Sequence, residues 1–249
     1  MARSRADKTA SGKLYPKGRI NMRMQRSRLL ARLALLALGM IGISGIVTAL
    51  STPDVSAAAA VQRVPLSWHA QAVAAGKPAG QVDGAFAQLR RTDSGISWTI
   101  NTLGLTPGHA YTVWRVIINN TAACTADPCA PNPDVLVNTA LTRSQIVYGG
   151  GHLAGQAGNA SFGGSRNVGP VHNGWFGATG LENAMTAEIH LVLNDHGPKI
   201  AEFMPGMIDT YRSGCTDASL PGIFPASAKA DGAPGPNTCT LWQAAIFQP

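Results

Sequence analysis

Charged residues are scarce in this sequence, since Asp, Glu, Lys and Arg make up only 13% of its 249 residues. That share is about half of what an average globular protein carries. Aromatic residues are also few, at 6% of the chain, while hydrophobic residues reach 45%. A chain this poor in charge and this rich in hydrophobic residues fits neither an intrinsically disordered protein nor a coiled coil.

The net charge of +7 is concentrated at the start of the chain. Residues 1–32 hold ten Lys and Arg against one acidic residue, Asp7, whereas residues 33–249 carry a net charge of −2. A nucleic-acid-binding domain needs basic residues on its folded surface. The nearly neutral body therefore argues against nucleic acid as a partner.

A long apolar run follows this basic region. Residues 33–52 contain no charged side chain, and small residues dominate the linker at 53–61. A basic region, an apolar region and an Ala-rich site in this order predict a secretory signal peptide. Because twenty apolar residues also suffice to span a bilayer, an uncleaved membrane anchor is the alternative, with the membrane as a partner. Either interpretation places residues 62–249 outside the cytoplasm, in the periplasm or the cell exterior.

All four cysteines lie after the apolar run, in the predicted exported domain. An even number of cysteines in an exported chain predicts disulfide bonds, and four cysteines allow three pairings. We favour the pairing of neighbours, in which Cys124 closes a short turn with Cys129, and Cys215 closes a Pro- and Gly-rich loop with Cys239. The lack of any Cys-x-x-Cys pair argues against a metal site made of thiolates.

The exported domain consists of short apolar segments separated by turn residues, with no internal repeat. Residues 95–101 alternate between apolar and polar, whereas residues 109–119 are apolar on both faces. The first pattern predicts a half-exposed strand and the second a central strand covered on both sides. Further strands are predicted at 81–90, 145–152, 159–164, 187–195 and 240–248. A helix is suggested only at 65–75, so we predict an all-β fold with a single β-sandwich or barrel-like domain.

Four side chains form a candidate metal site. Glu188 and His190 lie two residues apart on a predicted strand, so both point to the same face. His196 ends that strand, and His152 follows three glycines on another one. Imidazole and carboxylate ligands suit a transition metal such as Zn or Cu. The alternative, which we favour, is a hydrogen-bonded pair of Glu188 and His190 on a half-covered face, with His196 in an ordinary turn.

Signatures of other chemistries are missing. No G-x-S-x-G sequence marks a nucleophile elbow. Residues 149–154 match the dinucleotide pattern G-x-G-x-x-A, but no helical pattern follows, so these glycines indicate a bulge or a close backbone approach. Among the five tryptophans, the alternation pattern places Trp98 and Trp114 in the core. Trp175 lies in a glycine-rich loop and is the candidate ligand-binding residue.

Two segments resemble a family of exported bacterial proteins of uncharacterised function. Residues 105–114 read LTPGHAYTVW, and residues 187–198 read AEIHLVLNDHGP. Membership of that family implies export and no particular activity. A fainter resemblance, to Cu/Zn superoxide dismutases and chordin-type domains, rests on the Gly-Leu-x-Pro-Gly turn at 104–108. It implies a β-sandwich, but the strand after the turn lacks the dismutases' copper-binding histidines, which argues against dismutase activity.

These features together predict an exported or membrane-anchored β-sandwich protein. We expect it to be a non-enzymatic binding or structural module of the cell envelope, with a protein, a glycan or a small ligand as its partner and no resident cofactor. The alternative is a metal-binding protein or a metal-dependent enzyme. Its ligands would be Glu188, His190, His196 and His152.

Overall fold

The computed structural model describes residues 60–249, so the predicted basic region, the apolar run and most of the linker lie outside the described residues. The strands are β1 (Ala60–Trp68), β2 (Gln81–Thr92), β3 (Gly95–Thr102), β4 (His109–Ile118), β5 (Ser144–Leu153), β6 (Ala160–Asn167), β7 (Glu188–Pro198) and β8 (Thr240–Phe247). The α-helices of the described region are short: α1 (Ala70–Ala74), α2 (Thr139–Thr142) and α3 (Ala226–Ala230). Within residues 60–249 no helix is both long enough and apolar enough to cross a membrane.

The eight strands form one antiparallel sheet in the order β5-β4-β7-β8-β1-β2-β3-β6. The two outermost strands, β5 and β6, approach each other, so the sheet is nearly closed into a barrel. This confirms the predicted all-β fold, and of the two architectures left open the chain adopts the barrel-like one. Single-sheet closure reduces the exposed strand edges that would otherwise invite aggregation.

The seam between β5 and β6 is bridged by side chains. Arg115, on β4, donates hydrogen bonds to the backbone oxygens of Tyr148 on β5 and Ser165 on β6. Burial, with a smaller contribution from the nearby Arg166, lowers the pKa of Arg115 to about 10. The guanidinium thus replaces backbone hydrogen bonds where the two strands do not pair.

Trp98 packs across the same seam, on its inner side. A Cβ atom built on Gly149 of β5 or on Gly164 of β6 would lie 3.1 Å from Cζ2 of the Trp98 indole. The pairing of β4 with β5 also shifts register at Gly149, which is a β-bulge. The glycine run is therefore a bulge and a close packing site, as its sequence context indicates.

The structure differs from the prediction at residues 65–75, where a helix was suggested. Residues 65–68 belong to β1, which begins at Ala60, two residues before the predicted start of the domain. Only Ala70–Ala74 form a helix, and His69 caps it by accepting the backbone N–H of Gln71 at Nδ1. Pairing of β1 with β2 and β8 overrides the weak local helical preference.

Hydrophobic residues form two clusters on opposite faces of β4. The first fills the barrel interior and includes Tyr111 and Val113. The second lies on the outer face and includes Trp114 and Val116. It is covered by the three long connections between strands, which are residues 119–143, 168–187 and 199–239. Because both faces of β4 are covered, its sequence is apolar on both sides, as predicted.

Two disulfide bonds hold these outer connections. Cys124 pairs with Cys129 inside the 119–143 connection. Cys215 pairs with Cys239 and closes most of the 199–239 connection. The predicted pairing of neighbours is confirmed, and both bonds are consistent with an oxidising compartment such as the periplasm or the cell exterior.

Candidate functional site

The structure brings together two of the residues singled out from the sequence, Glu188 and His190. Both are buried on the outer face of β7, with 2% and 6% of their surface exposed. His190 Nε2 lies 2.6 Å from Glu188 Oε1, which also accepts the backbone N–H of Cys129 at 2.9 Å. The pair therefore joins the sheet to the 119–143 connection.

His196 lies on the same face of β7 as His190, but it is six residues further along the chain. This corresponds to about 20 Å along a strand. Its Nδ1 donates to the backbone oxygen of Ser213 at 2.9 Å, and its Nε2 accepts from the Thr112 hydroxyl at 2.8 Å. Burial lowers the pKa of His196 to about 4, although the Ser213 bond and the neighbouring Asp195 act in the opposite direction. His196 is therefore a neutral residue with both ring nitrogens engaged.

His152 lies on the other face of the sheet, since it pairs with Tyr111 of β4, whose side chain points into the barrel. It is exposed near the end of β5, and its ring packs edge-on against Phe162 with 6.4 Å between ring centres. The four side chains named as candidate ligands therefore do not meet at one point: Glu188 and His190 are in contact, and His196 and His152 lie elsewhere. The two-residue spacing of Glu188 and His190 correctly indicates a shared face. His196 was expected in a turn at the end of the strand, but β7 continues to Pro198, so His196 lies within the strand and too far along it to meet the pair.

A different group, formed by His196, Cys215 and Cys239, brings three potential ligand atoms within 4.8 Å of one another. The two sulfur atoms are joined in a disulfide, so neither is a thiolate. His196 Nδ1 is also committed to Ser213. The group is a packed structural contact beneath the 199–239 connection.

A cavity of about 240 Å³ lies between the outer sheet face and the covering connections. Four aromatic side chains form much of its wall, and neighbouring rings lie 4.8 to 5.4 Å apart: Trp114, Trp175, Tyr211 and Phe224. Trp175, the candidate ligand-binding residue, is part of this wall and is 7% exposed. Edge-on and tilted contacts of this kind are favourable aromatic geometries.

Besides the two indole N–H groups, polar side chains line the cavity at few positions, which are His69, Gln71, His190 and Tyr211. Gln71 Oε1 accepts a hydrogen bond from the backbone N–H of Leu241. His69 Nδ1 accepts one from the backbone N–H of Gln71. Burial lowers the pKa of His69 and raises that of Tyr211, so both are neutral at pH 7. Among the described residues, the cavity wall contains no Ser, Thr, Cys, Lys, Arg, Asp or Glu. The arrangement suits binding of an uncharged molecule, and Tyr211 is the residue of the described wall that carries a hydroxyl group.

The orientation of Trp114 in this wall depends on His196. The Trp114 indole N–H donates to Thr112 Oγ1 at 2.9 Å, and the Thr112 hydroxyl in turn donates to His196 Nε2. Because Nε2 must be unprotonated to accept this bond, the chain of bonds requires neutral His196. His196 thus supports the cavity without touching it.

A second cavity, of about 480 Å³, lies on the other side of Trp114 and Trp175. Tyr148, Asp209 and Asp231 also line it, and its wall is more polar than that of the first cavity. Burial raises the pKa of Asp231, and the neighbouring Asp209 raises it further. The two tryptophans therefore separate an apolar cavity from an acidic one.

Sequence reasoning missed His69 and Tyr211 as parts of the site. His69 lies in a segment with a weak helical pattern, and Tyr211 lies in a long connection without periodicity. Neither carries a local signal of its position, since each reaches the cavity through contacts between distant parts of the chain. Trp175 was found because a tryptophan in a glycine-rich loop is unusual.

No protein-family model matches this chain, and no curated protein or solved structure matches it either. The resemblances to a family of exported bacterial proteins and to dismutase-like domains therefore stay predictions. A barrel-like fold hosts many unrelated activities, so the function is argued from the site itself.

Proposed function

We propose that this protein is an exported binding module that holds one small apolar ligand in the cavity beneath its outer connections. The observation that carries the proposal is the aromatic-walled cavity of about 240 Å³. An apolar protein cavity of about 150 Å³ already binds benzene. A cavity of this size therefore accommodates one ring or two fused rings.

The construction of the walls supports binding. One wall is the outer face of β4 and β7, which is part of the continuous sheet. The opposite wall comes mainly from the three covering connections, two of which contain a disulfide bond. A preformed site of this kind binds without a large ordering cost, because its side chains are already held in place.

The predicted location of the protein is part of the proposal. The basic and apolar regions at residues 1–32 and 33–52 have the pattern of a signal peptide or a membrane anchor. Two disulfides suit the same oxidising side of the membrane. The module then acts in the cell envelope or outside the cell, attached to the membrane if the apolar run is uncleaved.

Equilibrium dialysis of the oxidised full-length protein against naphthalene tests the proposal. We expect saturable binding of one naphthalene per chain. The variant Val192→Phe, which places a larger side chain in the cavity wall, should weaken binding at least about tenfold by occupying the space. The matched control is Val61→Phe, since Val61 lies on β1 with 56% of its surface exposed.

Two results would contradict the proposal. One is the absence of saturable binding up to the solubility limit of naphthalene. The other is equal affinity in the protein, in Val192→Phe and in Val61→Phe, which would place the bound molecule elsewhere on the surface.

A further inference from the structure

The walls of the apolar cavity restrict the charge of its ligand. Its described lining residues include no Lys, Arg, Asp or Glu. The Glu188 carboxylate beside His190 is already bonded to His190 and to the backbone of Cys129. Burying a charged group without a partner is strongly unfavourable. The ligand that fits this cavity is therefore uncharged.

The aromatic side chains restrict its shape. Trp114, Trp175, Tyr211 and Phe224 surround the cavity with flat rings, and aliphatic side chains fill the spaces between them. Offset and edge-on contacts with these rings favour a planar aromatic ligand over a branched aliphatic one. The volume limits the ligand to about two fused rings.

His190 provides a directional polar contact in this apolar site. Its Nε2 is turned to the Glu188 carboxylate, and Glu188 is itself fixed by the Cys129 N–H. Among residues 60–249, the other ring nitrogen, Nδ1, has no hydrogen-bond partner. The ring lines the cavity, whereas Glu188 does not. The carboxylate thus sets the orientation of the imidazole and leaves Nδ1 for the ligand.

A hydroxyl group is the best match to Nδ1. If the imidazole is neutral, the proton on Nε2 is donated to Glu188, and Nδ1 is an acceptor. If the imidazole is protonated, Nδ1 becomes a donor. A hydroxyl serves both states because it donates and accepts, whereas a carbonyl or an ether only accepts.

We infer that the ligand is a neutral aromatic alcohol, such as a phenol, whose hydroxyl bonds to Nδ1 of His190. The inference rests on the proposed binding function and specifies its ligand class. Glu188 is a positioning residue in this arrangement, since it acts on the ligand only through His190.

Two probes of nearly equal shape test the inference, namely 2-naphthol and naphthalene. We expect the oxidised full-length protein to bind 2-naphthol about fivefold more tightly than naphthalene, which is the usual contribution of one net hydrogen bond. The variant His190→Phe keeps a ring in the wall. This variant should still bind naphthalene, and it should bind 2-naphthol no more tightly than naphthalene. Naphthalene binding by this variant also shows that the cavity has formed.

The matched control is His152→Phe, which changes an exposed histidine outside the cavity and should keep the preference for 2-naphthol. Equal binding of the two probes by the unsubstituted protein would overturn the assignment of an alcohol while leaving the proposed function intact. A preference that persists in His190→Phe would overturn the role of His190. Failure of both probes to bind would overturn the proposed function as well.

Discussion

Glu188 and His190 form a buried hydrogen-bonded pair on the outer face of β7, with 2.6 Å between Oε1 and Nε2. The same carboxylate oxygen accepts the backbone N–H of Cys129. One side chain therefore connects the sheet, a covering connection and the wall of the apolar cavity. A buried carboxylate is tolerated here because both of its donors come from fixed parts of the structure.

Removal of the Glu188 carboxylate should destabilise the protein. We expect Glu188→Ala to lower the free energy of unfolding by about 2 to 4 kcal/mol, because it leaves two buried N–H donors without an acceptor. Glu188→Gln keeps an acceptor oxygen and should cost less, about 1 kcal/mol. Urea unfolding with the disulfides intact measures both values. A Glu188→Gln variant as unstable as Glu188→Ala would show that the charge, rather than the hydrogen bonds, matters.

Acidification should weaken the protein through His196. Its pKa is about 4 in the folded state, below the ordinary value of 6.5, so the unfolded chain binds a proton more readily. The stability from neutral His196 is fully present above pH 6.5 and is lost as the pH falls from 6.5 through 4. The loss amounts to about 3 kcal/mol over this range.

The free energy of unfolding at several pH values between 4 and 7 checks this expectation. The variant His196→Gln should lose stability more gradually on acidification, since Gln does not titrate. His152→Gln, at an exposed position, should retain the full dependence. Equal pH dependence in the protein and in His196→Gln would refute the assignment.

The two disulfides should contribute unequally to stability. Cys215 and Cys239 are separated by 24 residues, whereas Cys124 and Cys129 are separated by 5. In the chain-entropy model, the longer loop stabilises by about 3.5 kcal/mol and the shorter by about 2 kcal/mol. Urea unfolding of the two double Cys→Ala variants compares them.

The longer bridge should also matter more for binding. It closes the loop that carries Phe224, and Tyr211 lies just before its first cysteine; both residues belong to the cavity wall. We expect the Cys215→Ala/Cys239→Ala variant to bind naphthalene more weakly than the Cys124→Ala/Cys129→Ala variant. The reverse order of affinities would show that the 119–143 connection shapes the cavity.

Two adjacent glycines on β6 should respond differently to the same substitution. A Cβ on Gly164 would lie 3.1 Å from the Trp98 indole, whereas a Cβ on Gly163 would lie 3.4 Å or more from its nearest neighbours. Gly164→Ala should therefore destabilise the protein by about 1 to 3 kcal/mol through overpacking at the seam. Gly163→Ala should be neutral or stabilise it by up to about 1 kcal/mol.

Thermal unfolding of the two variants side by side makes this comparison. The substitutions are identical and the positions are adjacent. A difference in melting temperature between the two variants therefore reports the contact with the Trp98 indole. Equal melting temperatures for Gly163→Ala and Gly164→Ala would show that the indole moves away without cost.

The candidate site was only partly predictable from the sequence. The shared face of Glu188 and His190 follows from the two-residue period of a strand, which is a local property. Trp175 was identified by its unusual glycine-rich surroundings. By contrast, the position of His152 and the contribution of His69 depend on how strands and connections pack, and the sequence pattern carries no measure of these contacts.

Sequence patterns alone were enough to predict the all-β class and most strand positions, and to favour one of the three possible cysteine pairings. These features rest on alternation, turn residues and loop length, all of which act over a few residues or through simple chain closure. The near-closure of the sheet into a barrel, and the aromatic cavity that three connections enclose on its outer face, became visible only in the folded structure. Both depend on contacts between residues far apart in the chain, where packing and burial outweigh local preference.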